Sequence, residues 1–147
     1  MIQPSWPDSG TLASIAAVIT AFTVAMLFFR IQRELQMADK FEINWIPWAD
    51  WLLLGAAWLS LLFVILPLVA AHPTSFAYQV LPSAACAATV ILVAGYTVAI
   101  LAHYRLILGG SKGESRVNPE LGERHVVTLT VVIAIGVFVW TAYQHTH

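Results

Sequence analysis

Residues 10–30 read GTLASIAAVITAFTVAMLFFR, a run of twenty residues without a charged side chain that ends at Arg30. An α-helix needs about 20 apolar residues to cross the hydrocarbon core of a bilayer, so this stretch is long enough to span it. Three further apolar runs follow, at roughly residues 49–70, 80–102 and 126–143. The sequence therefore predicts an all-α integral membrane protein, a four-helix bundle forming one transmembrane domain over residues 1–147. We expect its helices at about residues 10–38, 47–70, 80–108 and 119–143.

The composition agrees with a membrane protein. Hydrophobic residues make up 59% of the chain and charged residues 10%, whereas soluble domains carry about 25% charged residues. The net charge is -1 and no nucleic-acid-binding motif is present, so we expect the lipid bilayer and no nucleic acid as a partner. Cys86 is the only cysteine, which excludes a disulfide within the chain.

The basic residues predict the orientation in the membrane. All seven Lys and Arg residues lie in two segments, residues 30–40 and 105–124. Lys and Arg accumulate in cytoplasmic loops of membrane proteins. We therefore place loops 30–46 and 105–124 in the cytoplasm and both termini outside.

Helix boundaries carry several signals. Asp8 or Ser9 is suited to cap the first helix, and Pro67 is expected to kink the second. Asp50 and Glu123 each fall near the start of a helix, where a negative charge complements the helix dipole. Arg30 has Glu34 four residues further on as a possible partner on the same helix.

The two halves of the chain resemble each other weakly. Phe29-Arg30-Ile31 ends the first crossing and Tyr104-Arg105-Leu106 the third. Two tandem helical hairpins would explain this pattern, and ordinary aromatic and basic anchoring at the interface would also explain it. Trp45, Trp48 and Trp51 form such an aromatic cluster at the start of the second helix.

Small residues recur on one face of the first and of the third helix. Lipid provides no hydrophobic drive between helices, so close approach of backbones through small residues is how membrane helices associate. These faces predict either packing within one chain or an interface with another subunit, in a homo-oligomer or with another membrane protein. The candidates are Ser14, Ala17, Ala21 and Ala25 on the first helix and Ala88, Gly95 and Ala99 on the third.

A polar stripe also runs along the third helix. Thr89, Tyr96 and His103 recur every seven residues. In an oligomer such a stripe is suited to line a narrow, mostly uncharged pore. The alternative is that the hydroxyls bond the backbone or neighbouring helices while His103 lies at the membrane interface.

No apolar run has a charged residue in its central part, although ion-coupled transporters normally need one at depth. In size and helix number the chain resembles the small multidrug resistance transporters, but it lacks their embedded glutamate in the first helix. It is similar in the same respects to membrane-bound eicosanoid and glutathione enzymes, whose second helix supplies the Arg and Asn of the glutathione site. Residues 52–66 here contain neither.

The histidines give a weak cofactor signal, because His103 and His125 could pair around a haem and His145 with His147 could hold a metal ion. All five histidines lie near helix ends rather than at the depth of a buried haem, so we favour solvated histidines at the interface. We therefore predict no catalytic residues, cofactor or metal, and a protein that is not an enzyme. The leading functional hypothesis is an oligomeric pore or membrane-permeabilising protein. The alternatives are an accessory or scaffold subunit of a larger membrane complex and a small membrane enzyme of glutathione-transferase-like type.

Overall fold

A computed structural model describes residues 7–38, 48–103 and 120–146, and this part of the chain contains helices and no strands. The sequence prediction of an all-α protein is confirmed. The elements are α1 (Ser9–Ala38), α2 (Asp50–Leu59), a π-helical segment (Ser60–Ile65), α3 (Leu66–Ala70), α4 (Phe76–Gln79), α5 (Leu81–His103) and α6 (Glu120–Thr146).

Four stretches within these helices are long and apolar enough to cross a membrane. They are Ser9–Arg33, Asp50–Ala70, Phe76–Ala102 and Gly122–Thr146, called here the first to fourth spans. The fourth span continues to Thr146, about one turn beyond the end expected from the sequence. The sequence predicts that the third helix continues through residues 104–108, which lie outside the described residues.

Asp8 caps the start of the first span. Its carboxylate accepts a hydrogen bond of 2.6 Å from the backbone N–H of Thr11, which satisfies a donor that the first turn of α1 leaves unpaired. Hydrogen bonds from Thr11 lower the pKa of Asp8 below its ordinary value. Of the two caps that the sequence allowed, the structure assigns this bond to Asp8.

Pro67 explains the irregular middle of the second span. A proline inside a helix has no N–H to donate and its ring clashes with the carbonyl four residues earlier, here that of Phe63. The chain widens just before it into the π-helical segment, and the N–H of Leu66 donates to the carbonyl of Leu61. A local change of hydrogen-bond register thus accompanies the proline that was expected to kink this helix.

The third span begins in two pieces. Ser75 caps the short helix α4, because its hydroxyl accepts a hydrogen bond of 3.2 Å from the N–H of Tyr78. Val80 separates α4 from α5. The helix expected from residue 80 is therefore preceded by one extra turn.

Helix α5 occupies the centre of the bundle. It packs along α6, which is the most extensive helix contact, and along α2 and the π-helical segment, while α1 packs mainly against the second span. Half of the third span is buried, against 17% of the first and of the fourth. The main core combines Leu52, Leu53 and Ala56 of α2, Ala88, Leu92, Tyr96 and Ala99 of α5, and Val127 and Ala134 of α6.

Candidate functional site

An ion pair joins α1 to α2 at the end of the bundle where α2 and α6 begin. The Nε atom of Arg30 lies 3.3 Å from Oδ1 of Asp50, and these side chains are only 8% and 17% exposed. The sequence offers Glu34 of the same helix as a partner for Arg30. The structure adds Asp50 of the next span, and the side chain of Glu34 lies outside the described residues. Burial of both charges makes the pair sensitive to loss of either member.

Glu123 of α6 completes this polar cluster. Its side chain is fully buried, and one carboxylate oxygen accepts a hydrogen bond of 2.8 Å from the backbone N–H of Ala49. Ala49 is the residue before α2, so a carboxylate of the fourth span caps the second span. From the sequence, Glu123 is expected only to complement the dipole of its own helix.

We call this end, formed by Arg30, Asp50, Glu123 and Arg124, the basic end. Its polar side chains come from α1, α2 and α6, and the two contacts connect these helices in a chain. Buried charged groups are costly unless they are paired and hydrogen-bonded. The titratable groups that the structure brings together here thus hold helix ends in place.

A groove runs along the outside of the bundle between α2 and α6. It encloses about 460 Å³, and we call it the lateral groove. Helix α5 forms its floor, while exposed side chains such as Trp51 and Ile135 stand at its walls. Its lining is Trp51, Leu52, Gly55, Leu59, Phe63, Ala88, Leu92, Val127, Val131, Ala134, Ile135 and Phe138.

Two side chains meet where the lateral groove reaches the basic end. The guanidinium carbon of Arg124 lies 5.4 Å from the ring centroid of Trp48, a cation–π distance. Arg124 precedes the groove residue Val127 by three positions, and Trp48 precedes Trp51 by three, so each lies about one helical turn beyond the lining. The apolar groove therefore ends at a cation that lies over an indole ring.

A smaller cavity of about 250 Å³ lies at the opposite end of the bundle. Its lining mixes apolar and polar side chains from the beginning of α1, the loop region before α5 and the end of α6. These residues are Pro7, Ser9, Leu12, Leu68, Tyr78, Gln79, Ser83 and His145.

The candidate pore residues lie inside the single chain. Thr89 is fully buried and its hydroxyl donates a hydrogen bond of 2.6 Å to the carbonyl of Ala85. Tyr96 is 4% exposed and belongs to the main core. The side chain of His103 is outside the described part of the structure. A pore lined by Thr89 and Tyr96 would consequently have to run between helices of one bundle.

The two small-residue faces have different surroundings. On α5, Ala88, Gly95 and Ala99 are buried. A Cβ atom added at Gly95 would overlap the side chain of Thr130, so glycine permits the close contact of α5 with α6.

On α1 the small face is exposed. Ser14, Ala17, Ala21 and Ala25 are all exposed, whereas the buried residues among the described side chains of this helix are Leu12, Ala16, Thr23 and Arg30. At about 100° per residue, the two sets point to opposite sides of the helix. The bundle thus packs against one side of α1 and leaves its small face without a neighbour within the described chain.

The histidines form no cluster in the described ranges. Among residues 7–38, 48–103 and 120–146, no three His, Cys, Asp or Glu residues are placed to hold a metal ion. The histidine positions in the sequence allow a haem between His103 and His125 and a metal ion at His145 and His147. His147 and the His103 side chain lie outside those ranges.

No protein-family model matches this sequence, no curated protein shows significant similarity to it, and no solved structure matches its fold significantly.

The buried face of α6 can be recognised in the sequence from the spacing of four residues. Glu123, Val127, Thr130 and Ala134 follow one another at intervals of four, three and four residues, which places them on one side of a helix. All four are buried. The two polar members of this set, Glu123 and Thr130, therefore lie on the side that faces α5 and the start of α2.

Proposed function

We propose that the protein is an integral membrane subunit that acts by assembling with a second transmembrane protein chain through the small face of α1, defined by Ser14, Ala17, Ala21 and Ala25. The observation that carries this proposal is the exposure of that face on the side of α1 opposite to its buried residues. Small residues let two helix backbones approach closely in a membrane, where apolar burial alone gives no drive for association.

We assign the partner as a second copy of the chain. All copies insert with the same orientation, so two α1 helices that meet around a two-fold axis are parallel. Parallel pairing through residues spaced four apart, as Ala17, Ala21 and Ala25 are, is the geometry of small-residue dimer motifs. Another membrane protein on this face would instead make the chain an accessory subunit of a larger complex.

The proposed orientation places the basic end in the cytoplasm and both termini outside, because all Lys and Arg residues lie in segments 30–40 and 105–124 of the sequence and such residues accumulate in cytoplasmic loops. An impermeant thiol reagent added to intact cells should label Thr146→Cys and leave Gln32→Cys unlabelled. Labelling of Gln32→Cys but not of Thr146→Cys would mean that the protein has the opposite orientation.

Disulfide cross-linking tests the assembly. In a Cys86→Ala background, Ala21→Cys should give a covalent dimer in native membranes on mild oxidation. The matched control is Phe22→Cys, which is also exposed but lies about 100° round the helix. Equal cross-linking of both variants, or a product of another mass with Ala21→Cys, would overturn the homodimer.

The pore hypothesis makes a separate prediction. Because Thr89 and Tyr96 are buried in one bundle, we expect the purified protein to pass no current in planar bilayers. A current that Thr89→Leu reduces without changing the assembly would replace our proposal by the pore, since loss of the hydroxyl makes a constriction harder to wet.

A further inference from the structure

The length of the lateral groove matches one leaflet of a bilayer. Its lining on α6 runs from Val127 to Phe138, eleven helical steps or about 17 Å of helix. Half of a hydrocarbon core of about 30 Å is about 15 Å. The groove begins at the basic end, so it covers the depth of the leaflet whose headgroups lie at that end.

The width of the groove suits one hydrocarbon chain. A volume of about 460 Å³ spread over about 17 Å gives a mean cross-section of about 27 Å², so the groove is narrow for its length. Gly55 and the buried Ala88 and Ala134 keep the groove open where larger side chains would fill it.

The basic end supplies the polar half of a lipid site. Arg124 is exposed, and its guanidinium carbon lies 5.4 Å from the ring centroid of Trp48, which places its charge at the end of the groove. Arginine binds phosphate through the N–H groups of its guanidinium. Glu123 is fully buried and Asp50 is mostly buried, so the exposed charge beside Trp48 is the positive charge of Arg124.

We propose that the lateral groove binds one anionic phospholipid, with an acyl chain between α2 and α6 and its phosphate at Arg124. A net negative headgroup is preferred because a zwitterionic headgroup brings its own cation close to the guanidinium. Basic sites between transmembrane helices bind anionic headgroups in this way. The exposed indole of Trp51 lies at the same end, where tryptophan rings suit the headgroup level.

Native mass spectrometry of the purified full-length protein tests this site. Released from mild detergent with added lipid, the protein should retain one phosphatidylglycerol per chain and bind phosphatidylcholine of the same acyl chains less tightly. Arg124→Gln should lose this preference, with about a fivefold weaker retention of phosphatidylglycerol, corresponding to about 1 kcal/mol per basic residue at an anionic surface. Arg33→Gln is the matched control, because Arg33 is exposed on α1 at the same end.

A second pair of variants tests the groove itself. Gly55→Leu should reduce retention of both lipids, because Gly55 lines the groove and a Cβ there meets only Leu92 at an ordinary 3.7 Å. Ala94→Leu introduces the same side chain on another exposed part of the bundle and should retain lipid normally. If Gly55→Leu melts early by circular dichroism, Ile135→Trp fills the groove from its exposed opposite wall.

Three results would overturn the lipid site. The first is an unchanged headgroup preference in Arg124→Gln. The second is full lipid retention in a folded variant with a filled groove. The third is retention of several lipids of both kinds with equal strength, which describes ordinary boundary lipid.

Discussion

The carboxylate of Glu123 accepts a hydrogen bond of 2.8 Å from the backbone N–H of Ala49, across 74 positions of sequence. The donor belongs to the residue that precedes α2, and the acceptor lies one turn into α6. Helix starts have backbone N–H groups without intrahelical partners. This bond satisfies one of them with a fully buried side chain and so connects the second span to the fourth.

Substitution of Glu123 tests the strength of that connection. Glu123→Ala leaves the N–H of Ala49 without its acceptor and should destabilise the folded protein by about 1–3 kcal/mol. Glu123→Gln retains an acceptor oxygen and should recover most of the loss. Unfolding of the detergent-solubilised protein, followed by circular dichroism, measures both. A Glu123→Ala protein as stable as wild type would mean that water replaces the carboxylate.

The ion pair of Arg30 with Asp50 should behave as a unit. Removing one partner leaves a mostly buried charge without its counter-charge, so Arg30→Leu or Asp50→Asn alone should cost about 3 kcal/mol. The double variant should cost clearly less than the sum of the two single changes. Unfolding free energies in mixed micelles complete this double-mutant cycle. Additive costs would show that the two side chains do not interact energetically.

The two small-residue faces should respond differently to leucine. Gly95→Leu forces a side chain into Thr130 and should lower the stability of the single chain by about 1–3 kcal/mol or more. Ala21→Leu adds its side chain on the exposed face of α1 and should leave that stability unchanged while weakening the dimer. Thermal unfolding reports the first effect and light scattering in detergent the second. Reversed outcomes would contradict the assignment of the two faces.

The cap at Asp8 predicts a pH dependence at the beginning of α1. The bonds from Thr11 hold the folded-state pKa of Asp8 below its ordinary value of 3.8. Stabilisation by a carboxylate with a depressed pKa is complete above the ordinary value and is lost as the pH falls through the folded-state pKa. The first turn of α1 should therefore exchange its amide hydrogens faster, relative to the rest of the helix, only below about pH 4.

Asp8→Asn is the control for this prediction, because asparagine caps a helix without titrating in that range. Its first turn should show no such change with pH. Identical pH profiles for the two proteins would assign the effect to another group.

The helical class could be read from the sequence for a simple physical reason. Apolar runs of about 20 residues leave no alternative to helices once water is excluded, because each backbone N–H and C=O must be bonded within its own segment. The cap at Asp8 was also readable, since capping depends on residues three positions apart. Pro67 likewise marked the irregular part of the second span, although its form, a π-helical segment, was not predicted.

The candidate sites were less accessible to sequence analysis. Arg30, Asp50 and Glu123 were each assigned to their own helix, whereas the structure joins them across helices. Similarly, the small residues on α1 and α5 looked equivalent, yet only those on α5 are buried.

The sequence by itself determined the all-helical class, the four apolar helices and local features such as the Asp8 cap. Only the tertiary structure decided which side of each helix is inside, which partners the basic end brings together and where a groove remains. Periodicity gives the direction of a side chain around its own helix but does not say which neighbour lies there. In a membrane protein both the lipid-facing and the packed side of a helix are apolar, so the contrast that reveals the inner face of a soluble helix is missing.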